Sequence, residues 1–175
     1  MGLALAEAYL GRNNVTLIGT VRSVSSADKL KGLKAGSGSK LIVLELDARD
    51  EAAPLQVAEQ IKAHGIDHLD LVIANAGMAN DFKPVAKVPM YTLREHVEIN
   101  GYAPIALFQA ILPLLQKGHN PKFVSLGSPM GSIAGMETRP FPMTAYGVSK
   151  AVLHYLMRKI HLEHPDITAF PVDPG

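Results

Sequence analysis

The sequence contains no cysteine. That excludes a disulfide framework and any thiolate metal site. Neither sign of charge dominates, with 17 Lys and Arg against 16 Asp and Glu and a net charge of +1. Nucleic-acid affinity comes largely from clustered basic residues, so a nucleic-acid partner is not expected. The densest basic run, Lys29 to Lys40, is diluted by glycine and serine and reads as a solvated loop. No run approaches the roughly 18 continuous apolar residues of a membrane span, and no basic segment precedes an apolar one at the N-terminus. The sequence therefore predicts a cytoplasmic protein with no membrane partner. There is no internal repeat, no linker, and no low-complexity tract beyond Ala35–Lys40. The seven histidines show no zinc-ligand spacing, and no metal is expected.

What is present is an apolar chain of one-domain length. Its 175 residues are 47% hydrophobic, with a mean hydropathy of +0.13, enough for a sizeable core and against gross disorder. Short aliphatic runs at Val15–Val21, Leu41–Leu46, Leu69–Ala74, Phe123–Leu126 and Ile167–Val172 lack a polar alternate face. Such runs read as strands of a parallel sheet buried on both faces. Between them lie helical patterns. One follows Leu3. A second runs from an Asp50 cap to about His64, with Gly65 just past its end. The third, Thr92 to Leu115, is interrupted by Pro104 and Pro113. The last, Thr144 to His164, has Val148, Val152, Leu156 and Ile160 on one face. Alternating strands and helices predict a single α/β domain over residues 1–175, a Rossmann-like, doubly wound parallel sheet of about five strands.

Four constellations carry chemistry. In Tyr146-Gly-Val-Ser-Lys150 the phenol and the ammonium are one helical turn apart and share a face. A lysine beside a phenol favours phenolate, and such a tyrosine can exchange a proton with a carbonyl oxygen. A half-buried tyrosine with a snorkelling lysine reads equally from the pair alone. Ser128 follows the apolar run Phe123–Leu126, at the carboxyl rim where open α/β sheets bind ligands; a turn serine bonded to its own backbone is the alternative. Asn75-Ala76-Gly77 ends another apolar run, where small residues let a flat ligand approach the backbone; a tight strand-end turn is the alternative. Asn100 followed by Gly101 is a poor choice inside a helix, and a broken local rule marks a functional site or a kink. Met130, Met136 and Met143 lie near these residues in sequence, as core filling or as the pliable wall of an apolar substrate pocket.

Asn-Ala-Gly, Asn100, Ser128, Tyr-x-x-x-Lys and Pro174-Gly175 stand in the order found in the short-chain dehydrogenases/reductases, and the chain resembles that family over nearly its whole length. Phe123 to Ser149 is most similar to fungal ketoreductases of the norsolorinic-acid type. The resemblance implies Tyr146 as general acid/base, with Lys150 favouring its phenolate and holding the nicotinamide ribose. It implies Ser128 as the residue orienting the substrate carbonyl, and Asn100 as anchor of a proton-relay water. Asn75, Ala76 and Gly77 would line the adenine side of the cofactor, Asp47 would contact adenine, and Arg22 would favour the 2′-phosphate of NADP over NAD. Gly2 would be the last glycine of the pyrophosphate loop, and Pro174-Gly175 the segment leading to a substrate loop. Against the family pattern, the first strand with its glycine-rich loop and the C-terminal part are missing. The implied activity is NAD(P)H-dependent reduction of a small or aromatic ketone, or the reverse oxidation. The implied assembly is a homo-oligomer through the helices near 92–115 and 144–164. Two alternatives follow from the same residues: a cofactor-independent lyase, isomerase or cyclase, and a catalytically inactive partner subunit of a longer homologue.

Overall fold

A computed structural model describes all residues from Met1 to Gly175. They form two compact units, Met1–His64 and Gly65–Gly175. The first unit contains α1 (Gly2–Leu10), β1 (Thr16–Val21), a short α2 (Asp28–Lys31), β2 (Lys40–Glu45) and α3 (Ala53–Ala63). β1 and β2 pair in parallel, with Thr16 opposite Lys40 and Val21 opposite Glu45. The core of this unit is Leu10, Leu30, Leu44, Val57 and Ile61, all buried.

The second unit contains β3 (Leu71–Ala74), α4 (Met90–Val97), α5 (Ala103–Leu115), β4 (Lys122–Leu126), α6 (Thr144–Glu163) and β5 (Thr168–Val172). Its strands are parallel in the order β3-β4-β5. Phe123 of β4 is fully buried and meets Phe108 of α5 edge-on at 5.1 Å between centroids. The five aliphatic runs are the five strands, each displaced by no more than two residues. The architecture is therefore α/β with parallel sheets, as expected from short Val, Ile and Leu runs alternating with helices.

Four expectations are corrected. First, not every strand is buried on both faces: β5 leaves Thr168, Phe170 and Val172 exposed, and the strands of the first unit are open as well. β1 is half-exposed along most of its length, because a unit this small has too little chain to cover both faces of a sheet. Second, Asp50 does not cap α3. Its carboxylate accepts the Ala52 N–H at 2.9 Å in the turn ahead of the helix, which starts at Ala53 with Pro54 in its first turn, where a missing N–H costs nothing. Gly65 does end that helix region, with φ +76°. Third, the buried residues of α6 are Ala145, Ser149, Lys150, Leu153, Met157 and Ile160; of the expected stripe Val148, Val152, Leu156 and Ile160, Ile160 alone is fully buried. Val148 is 42% exposed. The most apolar stripe is not the buried one because polar Ser149 and Lys150 are drawn inward by their partners.

Fourth, the prolines do not interrupt the long helix as expected. Met90 to Leu115 is continuous, with a π-helical segment at Glu98–Tyr102 and Pro113 inside α5. Pro104 has no N–H to give the carbonyl four residues back, that of Asn100, and its ring crowds that carbonyl; one wider turn relieves both. By length and composition this helix could cross a membrane, since one 18-residue window reaches a mean hydropathy of 1.2. The run is broken by polar residues such as Asn100, yet its average is high. Here it serves as a core helix, with Ile99, Phe108, Ile111, Leu114 and Leu115 buried.

Candidate active site

The site is built where the carboxyl ends of β3 and β4 meet the first turns of α6 and the π segment. Asn100, 1% exposed, is its structural centre. Its Oδ1 accepts the Met78 N–H at 2.8 Å, and its Nδ2 donates to the Met78 carbonyl at 2.8 Å and to Ser149 Oγ at 3.0 Å. Ser149 in turn donates to the Tyr146 carbonyl at 2.7 Å. One amide therefore ties the segment after β3 to the helix carrying Tyr146. The π segment turns Asn100 inward, so the poor local propensity of Asn100-Gly101 is the cost of this linkage. Gly101 permits it: a Cβ there would lie 3.0 Å from Val152 Cγ1.

Lys150 is 4% exposed. Its Nζ donates to the Leu126 carbonyl at the end of β4, 2.6 Å away, and lies 5.5 Å from the centroid of the Tyr146 ring. The ammonium thus faces the ring across one helical turn, as the four-residue spacing requires. Burial alone pushes the Lys150 pKa down from 10.5 to about 8, because a charge removed from water is penalised. No carboxylate lies within ion-pair distance of Lys150 to offset this.

Gly77 keeps the space beside these groups open. A Cβ at that position would lie 3.1 Å from Asn100 Oδ1 and 3.9 Å from Lys150 Nζ. Asn75, half-buried at the end of β3, leaves its Oδ1 buried without a hydrogen-bond partner. An orphaned acceptor at a strand's carboxyl end is a place for an incoming donor.

Ser128 opens a 3₁₀ turn, Pro129–Gly131, after β4. Its Oγ accepts the Met130 N–H at 3.2 Å, which leaves the hydroxyl proton free to be donated elsewhere. The turn-serine alternative is thus what the structure shows, with the hydroxyl oxygen accepting from its own turn. Its backbone N–H donates to His154 Nε2 at 3.3 Å. Met130 and Met143 are half-buried at the start of α6; the Met130 carbonyl sits 3.0 Å from where a Cβ on Gly147 would be, and Met143 accepts the Gly147 N–H at 2.8 Å.

Asn75, Gly77, Asn100, Ser128, Tyr146 and Lys150 all belong to the second unit. Ala76 is exposed between Asn75 and Gly77, and Pro174 and Gly175 are exposed after β5. Gly2, Arg22 and Asp47 belong to the first unit. Gly2 starts α1, Arg22 is exposed past β1, and Asp47 accepts the Arg49 N–H at 3.0 Å after β2. The sequence reading missed Ser149, Met78 and His154. Ser149 had a signal, since it lies beside Lys150 in the same motif. Met78 acts through its backbone, which its side-chain identity does not announce.

The family model for short chain dehydrogenase matches residues 1–175. The norsolorinic acid ketoreductase of Aspergillus parasiticus is 38% identical over 179 residues, covering all of this chain and 66% of that protein. The norsolorinic acid ketoreductase nor1 of Dothistroma septosporum is 39% identical, covering all of this chain and 67% of that protein. The chain thus spans about two thirds of the length of these relatives. Among solved structures, the carbonyl reductase Sniffer of D. melanogaster superposes with a TM-score of 0.85 at 27% identity, over 99% of this chain and 75% of that one. The ordered motifs, the parallel α/β architecture and these matches agree: the chain belongs to the short-chain dehydrogenase family.

Proposed function

We propose that the chain carries the catalytic centre of an NAD(P)H-dependent oxidoreductase that reduces a small or aromatic ketone, or oxidises the corresponding alcohol. The observation that carries this reading is the buried Lys150 ammonium, held by the Leu126 carbonyl and facing the Tyr146 ring. Relatives named as ketoreductases support the substrate class.

The residues present fit a nicotinamide dinucleotide. Lys150 spends one hydrogen bond on Leu126 and has spare N–H donors; Gly77 leaves room beside it; and Asn75 offers an unused acceptor. Lys150 would hold the ribose hydroxyls, and Asn75, Ala76 and Gly77 would flank the adenosine side. Gly2 at the start of α1, Asp47, Arg22 and the Pro174-Gly175 end keep the cofactor roles that the family pattern gives them, with Arg22 favouring NADP. When bound, the cofactor supplies hydride chemistry that no amino acid offers.

The remaining steps belong to this chain's residues. The Ser128 hydroxyl, its lone pair engaged by Met130 N–H, donates to the carbonyl oxygen and fixes its direction. The Tyr146 hydroxyl delivers the proton to that oxygen, or removes it in the reverse direction. The Lys150 charge beside the ring favours the phenolate left behind. Asn100 holds the Met78 segment and, through Ser149, the first turn of α6, so that these groups share one geometry. Met130 and Met143 supply an adaptable apolar wall for the substrate.

Tyr146→Phe removes only the proton donor. It is expected to lower turnover of an aromatic ketone with NADPH by at least about a hundredfold, with an unchanged circular dichroism spectrum and NADPH affinity. Undiminished turnover would overturn the assignment. Calorimetric titration of the chain with NADPH and NADH is expected to give binding, tighter for NADPH; a folded chain that binds neither would remove the reductase reading.

A further inference from the structure

Ser128 is held by two bonds of different kinds. Its side chain is engaged by its own turn, but its backbone N–H reaches across to α6 and donates to His154 Nε2 at 3.3 Å. An imidazole nitrogen accepts only when it carries no proton, so the ring here is neutral with its hydrogen on Nδ1. The chain makes room for this ring on both sides of the serine. A Cβ on Gly127 would lie 2.9 Å from His154 Nε2, and a Cβ on Gly131 would lie 2.9 Å from its Cε1. At Gly131 the α6 backbone is nearer still, with Lys150 C at 2.7 Å and Ala151 N at 2.8 Å from such a Cβ, so glycine is needed there by the helix; at Gly127 a Cβ would press on the ring itself. The other side of the turn is fixed by the Gly127 N–H, which donates to the Val172 carbonyl at 2.7 Å. His154 lies one helical turn beyond Lys150, so Tyr146, Lys150 and His154 occupy successive turns of α6, and the third reaches the serine from behind.

The surroundings of the ring are one-sided. On α6 it faces Lys150, with Arg158 and His161 further along the same hollow against β5. From β5 that hollow receives Thr168, Ala169, Phe170 and Pro171, none of which ionises. The Leu126–Gly131 turn contributes no ionisable side chain either, and no carboxylate faces the ring. Burial, and then the Lys150 charge, hold the His154 pKa below the usual imidazole range, which keeps Nε2 available as an acceptor at neutral pH.

We propose that His154 is a positioning residue: its neutral ring accepts the Ser128 N–H, sets the direction of the Ser128 hydroxyl, and releases the serine turn when it takes up a proton. A proton on Nε2 would place a donor against a donor, and the Ser128 N–H would lose its partner. The positioning role in turnover rests on the reductase reading above; the latch itself does not.

The test therefore has two arms on the full chain. In the first, the Ser128 backbone amide is followed by nitrogen-15 NMR from about pH 8 to about pH 5, across the range in which imidazoles titrate, alongside the His154 ring protons. The Ser128 amide is expected to shift with the midpoint of the His154 ring, and to show no such step in His154→Asn, whose carboxamide oxygen accepts at every pH. An amide that ignores the ring's titration overturns the latch. In the second arm, His154→Leu is expected to lower kcat about tenfold, the scale of one lost positioning hydrogen bond, with the calorimetric NADPH affinity unchanged. His154→Asn is expected to restore kcat and to remove the acid limb of its pH profile. Equal kcat in His154→Leu and wild type, or an acid limb that persists in His154→Asn, overturns the positioning role. If the wild-type chain reduces no ketone, the reductase reading fails, and the amide titration still decides the latch.

Discussion

Lys150 concentrates the energetics of this molecule in one side chain. Its ammonium is removed from water, given one backbone carbonyl and no counter-charge, and its pKa falls to about 8. The unfolded chain keeps this proton up to about pH 10.5, the folded chain only to about 8. Between those values the unfolded state binds more protons, so this group makes stability rise with pH across that window. Below pH 8 the burial cost is present in full. Lys150→Met removes the titration. The difference in Tm, variant minus wild type, is expected to be largest at neutral pH and to shrink as pH rises from 8 towards 10.5. A difference independent of pH would mean that the ammonium is not desolvated. A site that leaves a buried charge unpaired gives up stability, and a ligand with oxygen acceptors recovers part of it on binding.

At the scale of the element, α6 explains why pattern alone misjudges a helix that carries a site. The most apolar stripe, through Val148 and Val152, is not the buried one. Ser149 is drawn inward by Asn100 and the Tyr146 carbonyl, and Lys150 by the Leu126 carbonyl. Rotating the helix to satisfy them buries Leu153 and Met157, at 1% and 0% exposure, and leaves Val148 at 42%. Leu153→Ala is expected to cost about 2–5 kcal/mol in chemical denaturation, as truncation in a packed core does, whereas Val148→Lys is expected to change stability by less than about 0.5 kcal/mol. Equal costs at the two positions would refute the observed facing. The π segment follows the same logic. Asn100, Gly101 and Pro104 are each poor helix residues, and together they turn a buried amide towards Met78 and Ser149. Gly101→Val is expected to cost about 1–3 kcal/mol by overpacking against Val152.

At the scale of the whole molecule, the long helix and α6 still carry apolar and aromatic side chains in water. Tyr91 is 70% exposed, Tyr102 55% and Tyr155 68%. Exposed aromatics on helices are suited to contact with a second copy, in keeping with the homo-oligomer that the family resemblance implies. Light scattering after size exclusion is expected to give a mass above that of the 18.8 kDa chain, and Tyr155→Glu to shift it towards the monomer. A monomer at all concentrations would remove this proposal.

Much of this was legible in the sequence for plain physical reasons. Short aliphatic runs without polar alternation favour pairing into a sheet, so the five parallel strands could be placed to within two residues. Tyr146 and Lys150 share a face because a helix repeats every 3.6 residues. Asn100-Gly101 inside a helix declared a broken rule, and a π turn is what the break became. Tertiary structure decided the rest. Which side of α6 is buried depends on carbonyls from β4 and an amide from the long helix, partners distant in sequence. The role of Met78 lies in its backbone, which every residue possesses. His154 reads as one histidine among seven until folding brings its ring between Gly127 and Gly131 and against the Ser128 N–H. Periodicity is local and survives in one dimension; hydrogen-bond partnership across the chain exists only once the chain has folded.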